Sequence, residues 1–142
     1  IRLFRADMTR NRQILAEVTG LIAPATGGDP AARAELVLAE LLNNIAKHGV
    51  IPRPDRQDSG PRTGPVGAVI QLSIVLEAGG IHCTLSDTGL AIPQACISAS
   101  HCPDPDALPE NGFGWPLIRL LVDQLRYVRE GGRNVLSFRI PH

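Results

Sequence analysis

The sequence predicts an α/β (α+β) two-layer sandwich, in which a mixed, mostly antiparallel sheet carries helices on one face. Three observations predict it. Two pairs of strand-like segments are joined by Gly79-Gly80 and by Gly131-Gly132, and turns of two glycines join antiparallel neighbours. Two helical segments follow one another near the start of the chain, broken at Pro24 and Gly27-Gly28. A third, apolar helical segment follows a long stretch without periodicity.

Taken in order, Ile1 to Arg5 alternates apolar and charged residues and reads as a short strand. Asp7 or Thr9 can cap a helix running to about Leu21, with Ile14, Leu15, Val18, Leu21 and Ile22 on its buried side and Pro24 as a breaker. Asp29-Pro30 reads as an N-cap and first helical residue, opening a helix that ends at Gly49. Between Val50 and Gly67 prolines and glycines alternate with charges, so 50–67 is a flexible insert and not a regular element. Ala68 to Glu77 and Ile81 to Leu85 are the first hairpin, closed by Asp87-Thr88-Gly89. The stretch 91–111 is rich in Pro, Ser and Asp, and a loop of that length in a compact domain suggests a lid. A helix from about Trp115-Pro116 to Leu125 follows, with Arg119, Asp123 and Arg126 outside. Strands around Tyr127-Val128-Arg129 and from Val135 to Ile140 close the chain.

Composition narrows the function. The 142 residues are expected to make one domain, 1–142, large enough for a single core. Fourteen basic residues balance fourteen acidic ones, without the basic excess that a nucleic-acid partner or an acidic membrane would call for. No apolar run approaches the roughly 20 residues of a membrane span. Cys83, Cys96 and Cys102 are an odd set without a Cys-x-x-Cys pair, as expected of reduced thiols in a cytoplasmic protein. His82, His101 and these cysteines match no zinc-site spacing.

The chemistry gathers on the second helix. Leu38, Leu41, Leu42 and Ile45 make an apolar face, while Glu40, Asn44 and His48 stack at intervals of four residues along roughly the opposite side. Such a line is ordinarily a solvated face, but Val37 lies one turn before it, and branched apolar residues beside a carboxylate and an amide suit a pocket wall. Glu40 can orient or deprotonate a nucleophile, and Asn44 offers a hard oxygen to Mg²⁺. Asp87-Thr88-Gly89 at a strand end can be a plain turn or a carboxylate for a ligand's amino group. Gly112-Phe113-Gly114 before a helix can be a turn or a set of backbone N–H groups for phosphate.

In that order, Glu-x-x-x-Asn-x-x-x-His, Asp-x-Gly and Gly-x-Gly opening a helix resemble the N, G1 and G2 boxes of the GHKL ATP-binding fold. Within it, Glu40 to His48 and Gly112 to Asp123 look most like the bacterial anti-sigma-factor serine kinases. One short strand and one helix precede the second helix, so a phosphoacceptor-histidine helical pair, and with it a full histidine kinase, is not expected. The resemblance implies Asn44 as Mg²⁺ ligand and Glu40 as the base for the acceptor hydroxyl. It implies Asp87 for the adenine amine, Gly89 beside it, Gly112 and Gly114 at the phosphates, and Lys47 and His48 on the phosphate side. Ile92, Phe113 and Leu117 join the ATP-binding residues on the same ground.

The activity so implied is transfer of the γ-phosphoryl of ATP to a serine or threonine of a small STAS-type antagonist, leaving this protein free to hold a sigma factor. A homodimer is implied too. Three features depart from the family pattern. Ala91 stands for the second G1 glycine, Gly132-Arg133-Asn134 stands where a late Gly-Thr is usual, and the 50–67 insert is long. Arg133 or Asn134 is the candidate replacement for the missing threonine. The alternatives are a binding module of the same fold without turnover, and a detached histidine-kinase-like catalytic domain.

Overall fold

The computed structural model describes residues 1–48, 68–93 and 114–141, with the side chain of His48 excepted. The insert expected over 50–67 and most of the lid expected over 91–111 lie outside the described residues. Strand β1 (Arg2–Arg5) is followed by helices α1 (Met8–Thr26) and α2 (Gly28–His48). The hairpin of β2 (Val69–Glu77) and β3 (Gly80–Asp87) comes next. Helix α3 (Gly114–Leu121) leads into the hairpin of β4 (Asp123–Glu130) and β5 (Arg133–Pro141). The five strands form one sheet in the order β1-β2-β3-β5-β4, and each of the four pairings is antiparallel. This is the predicted class.

Alternation along the strands sets the two faces. Ile81, Cys83 and Leu85 of β3 face the core, as do Leu136, Phe138 and Ile140 of β5, and the register places Cys83 opposite Phe138. Ile70 and Leu72 of β2 extend this surface. Against it pack Ile14, Val18 and Ile22 of α1, Trp115 and Ile118 of α3, and above all α2. Ala31, Ala34, Leu38, Leu41 and Ile45 recur every three or four residues on α2, and Val37 and Leu42 widen the stripe, so the helix buries one face along its whole length. α2 therefore lies at the centre, touching α1, α3, β3 and β5.

Local chemistry explains the boundaries, including those that differ from expectation. Asp7 caps α1, its carboxylate accepting from Thr9 N–H at 2.8 Å. The helix then runs beyond Leu21 and through Pro24, whose fixed φ is helical, so one hydrogen bond is lost but the last turn continues. It stops at Gly27, whose φ of 83° few other residues accept. Gly28 begins α2 directly, which puts Asp29 and Pro30 inside its first turn and not at its cap. Leu21, expected on the buried side, is exposed, and Asn11 is buried. The first hairpin turns on Ala78-Gly79, with Gly80 already paired to Glu77. The second turns on Gly131-Gly132 as expected, with φ of 56° and 74°, a left-handed pair that matches the twist of the strands it joins.

The largest correction concerns α3. The apolar run suggested a helix to Leu125, yet α3 ends at Leu121 and the chain extends from Asp123. Asp123 and Arg126 are therefore strand residues and not the outer face of a helix. Asp123 accepts two hydrogen bonds from the guanidinium of Arg139 on β5, at 2.8 and 2.9 Å. That pair fixes the start of β4, and a bulge between Asp123 and Arg126, with Gln124 at φ 54°, sets the register. Leu125 and Tyr127 then meet the core with a period of two, which the helical reading of the run concealed.

Candidate active site

One cluster forms where α2 meets α3. Glu40 and Asn44 lie one helical turn apart on α2, both half-buried. Gly114, the buried first residue of α3, stands against them. A Cβ at this position would lie 2.7 Å from Glu40 Oε2 and 3.7 Å from Asn44 Nδ2. Only glycine lets the backbone at the start of α3 come this close to the carboxylate. Asn44 Nδ2 is buried and has no hydrogen-bond partner among the described residues, and an unmet buried donor costs about 1–3 kcal/mol. The oxygen and nitrogen of an amide exchange places by rotation about its last bond, so Asn44 can present either atom at this point. A carboxylate and an amide oxygen side by side suit Mg²⁺, which takes few protein ligands and completes its shell from phosphate and water. These residues fit a magnesium–nucleotide group.

A second cluster forms at the end of β3. The core-facing row Ile81, Cys83, Leu85 continues into Asp87, which is 3% exposed. Across the register from it on β5 stands Asn134, 1% exposed, where the row Leu136, Phe138, Ile140 ends. Two polar side chains thus stand in positions that the sheet otherwise gives to hydrophobes. Asp87 Oδ1 accepts from Gly89 N–H at 2.8 Å and from Asn134 Nδ2 at 3.1 Å. Burial raises the Asp87 carboxyl above its ordinary value, opposed by the Asn134 and Gly89 hydrogen bonds and by the charges of Arg129 and Arg133. Asn134 is held in turn by Tyr127 and Arg129 of β4, whose donors lie 2.6 and 2.7 Å from its Oδ1.

Gly89 is buried beside Asp87, and Ile92 is half-buried, packs on the core and donates its N–H to Tyr127 Oη at 3.1 Å. Leu117 is half-buried on α3, and Lys47 is exposed in the last turn of α2. His48 ends α2, while Gly112 and Phe113 lie outside the described residues. Ala91 does not have a positive φ, so the side chain that replaces the expected glycine strains no backbone. Of the two candidates for the missing threonine, Asn134 contacts Asp87, whereas Arg133 is exposed and reaches it only through its charge. Tyr127 and Arg129 were missed as site residues. Their spacing of two on one strand was the available signal. Among the described residues no three His, Cys, Asp or Glu side chains come together as a metal cluster, and Cys83 is buried in the core. No helix among them is long and apolar enough to cross a membrane.

Comparison with known proteins bears on this geometry. The family model described as the histidine kinase-like ATPase domain matches residues 4–140. No curated protein sequence matches the chain. Among solved structures, the nucleotide-free catalytic domain of the histidine kinase ThkA superimposes with a TM-score of 0.54 at 12% identity, over 99% of this chain and 95% of that one. A second crystal form of the same domain gives 0.52 at 11% identity, over 99% and 96%. The blue-light activated histidine kinase of Erythrobacter litoralis EL346 gives 0.50 at 19% identity, over 94% of this chain but 45% of its own length. At these identities the likeness is one of fold. The chain spans less than half of the Erythrobacter kinase and nearly all of the ThkA catalytic domain.

Proposed function

Because the chain belongs to the histidine kinase-like ATPase domain family, and so to the GHKL ATP-binding fold, we propose that it binds Mg-ATP and phosphorylates a serine or threonine of a partner protein. The observation that carries this reading is the Glu40 carboxylate beside Asn44 Nδ2, buried and unpartnered among the described residues, with both side chains against the first residue of α3. Asn44 would hold Mg²⁺, and the nucleotide would supply the γ-phosphoryl group. Glu40 accepts the proton of the acceptor hydroxyl as its oxygen bonds to phosphorus and ADP departs, and positioning does most of the rest. Asp87 accepts a hydrogen bond from the adenine amine. The backbone N–H groups that open α3 face the phosphates, with Lys47 on the same side. The closeness of the Glu40 to His48 and Gly112 to Asp123 segments to the anti-sigma-factor kinases supports a STAS-type antagonist as acceptor and a sigma factor as the second partner. Cytoplasmic location and a homodimer go with that reading.

A second reading has an observation behind it: solved structures of like fold include the catalytic domain of the histidine kinase ThkA and a blue-light activated histidine kinase. On this reading the chain phosphorylates a histidine of another protein. One experiment separates the two. The protein is incubated with γ-labelled Mg-ATP and a STAS-type antagonist, and the labelled product is treated with acid. Acid-stable label on serine or threonine supports the first reading, and acid-labile label on histidine supports the second. Glu40→Ala should bind Mg-ATP as the parent does and lose at least about 10²-fold in transfer rate. Absence of heat on titration with millimolar Mg-ATP would defeat both.

A further inference from the structure

Asn134 uses the whole hydrogen-bonding capacity of its side chain. Its Oδ1 accepts from Tyr127 Oη (2.6 Å) and Arg129 Nη1 (2.7 Å), and its Nδ2 donates to Asp87 Oδ1 (3.1 Å) and to Leu90 O (2.8 Å). An amide has two lone pairs and two hydrogens to offer, so none is left over. The direction of each bond is also fixed. A guanidinium only donates, so the atom facing Arg129 is the amide oxygen. The Ile92 N–H only donates, so the Tyr127 hydroxyl accepts from it and its own proton goes to Asn134. Polarity therefore runs one way, from Ile92 through Tyr127 to Asn134, and the Asn134 NH₂ must face Asp87. A lone asparagine could turn over, but this one cannot.

Two consequences follow. Both hydrogen bonds that reach Asp87 from the described residues land on Oδ1, which leaves Oδ2 as an acceptor for a ligand's donor. The segment after Asp87 is pinned as well. Arg129 holds Gly89 O at 3.0 Å, Asn134 holds Leu90 O, and Tyr127 holds the Ile92 N–H. Three side chains from β4 and β5 thereby fix the backbone from which Asp87 is presented.

We propose that Asn134, locked by Tyr127 and Arg129, is the positioning residue that fixes Asp87 as an acceptor, so that the site takes a 6-aminopurine and refuses a 6-oxopurine. The inference rests on the nucleotide reading above. A 6-amino group offers hydrogens to Oδ2, whereas a 6-oxo group brings a second acceptor against it and leaves Oδ2 without a donor. Freed from Asn134, the Asp87 carboxyl can rotate or share its oxygens differently, and the discrimination falls.

The test is calorimetric titration of the whole chain with Mg-ATP and Mg-ITP, which differ at the 6-position and its neighbouring ring nitrogen. The parent protein is expected to prefer ATP by at least about 10²-fold. Tyr127→Phe, which removes one oxygen from a half-buried ring, is expected to lower that preference about tenfold, and Asn134→Ala to lower it further. A purely structural role would lower the melting temperature, or weaken both nucleotides together, and leave their ratio unchanged within about twofold. That result overturns the proposal while the nucleotide reading stands. If Asn134→Ala does not fold, the ratio in Tyr127→Phe decides. Binding of neither nucleotide by the parent would overturn the nucleotide reading itself, and the inference with it.

Discussion

Asp87→Asn separates a residue kept for a ligand from one kept for the fold. Asp87 Oδ1 receives Gly89 N–H and Asn134 Nδ2–H at 2.8 and 3.1 Å, and the carbonyl oxygen of an asparagine in the same place accepts both. The packing volume is nearly unchanged. Burial is the largest influence on this carboxyl and raises it above its ordinary value, so the ionised form is costly to hold in the folded state. A neutral amide removes that cost and gives up the attraction of Arg129 and Arg133. Because burial outweighs those attractions, the variant should melt no lower than the parent, within about 3 °C or above it.

The sign of the pH dependence follows. A raised folded value means that the folded state binds this proton more tightly than the unfolded chain does. The parent's stability from this group is therefore full below the unfolded value and declines as pH rises through the folded one. Any stabilisation in Asp87→Asn should thus appear at neutral pH and fade in acid. Nucleotide binding should move the other way. The NH₂ group takes the position of Oδ2 and presents hydrogens where a 6-amino group brings its own. Losing one charge-assisted hydrogen bond costs about 1.5–3 kcal/mol, or roughly 10- to 150-fold in affinity. Thermal melts between pH 4 and 8 and titration with Mg-ATP measure both. A drop in melting temperature of about 10 °C, or an affinity within about twofold of the parent, would refute the reasoning.

Other outcomes follow from single contacts. Gly114→Ala places a methyl 2.7 Å from Glu40 Oε2, and since that atom is the far end of a side chain, the carboxylate should give way and the fold survive. Transfer rate should fall about 10–10²-fold with little change in melting temperature, which rate assays and thermal melts would show. Phe138→Ala empties a fully buried position on the interior strand β5 and should cost about 3–5 kcal/mol by denaturant titration. The Cys83 thiol is pushed by burial up to about 12. Among the cysteines mapped by mass spectrometry, Cys83 should therefore resist alkylation at pH 8 until denaturant is added.

The order of elements was legible in the sequence because each one carries a local signal. The Gly131-Gly132 turn, the Asp7 cap and the apolar stripe of α2 depend on residues within a few positions of one another. The Glu40–Asn44 spacing was legible for the same reason, since a helix puts residues four apart on one line. What lay beyond the sequence depends on partners far along the chain. The run from Trp115 to Leu125 satisfies a helical period up to its midpoint, and only the pairing of Asp123 with Arg139 of β5 decides where it becomes a strand. Asn11 is buried because its amide meets Leu42 O of α2, a contact that no periodicity in α1 foretells. Asp87 alone reads as turn chemistry. It becomes half of a site through the register of β3 on β5, which sets Asn134 opposite, and through the pleat of β4, which turns Tyr127 and Arg129 to the same side. Local spacing picked out the candidate residues, while strand register, a long-range property, decided which side chains hold Asp87 in place.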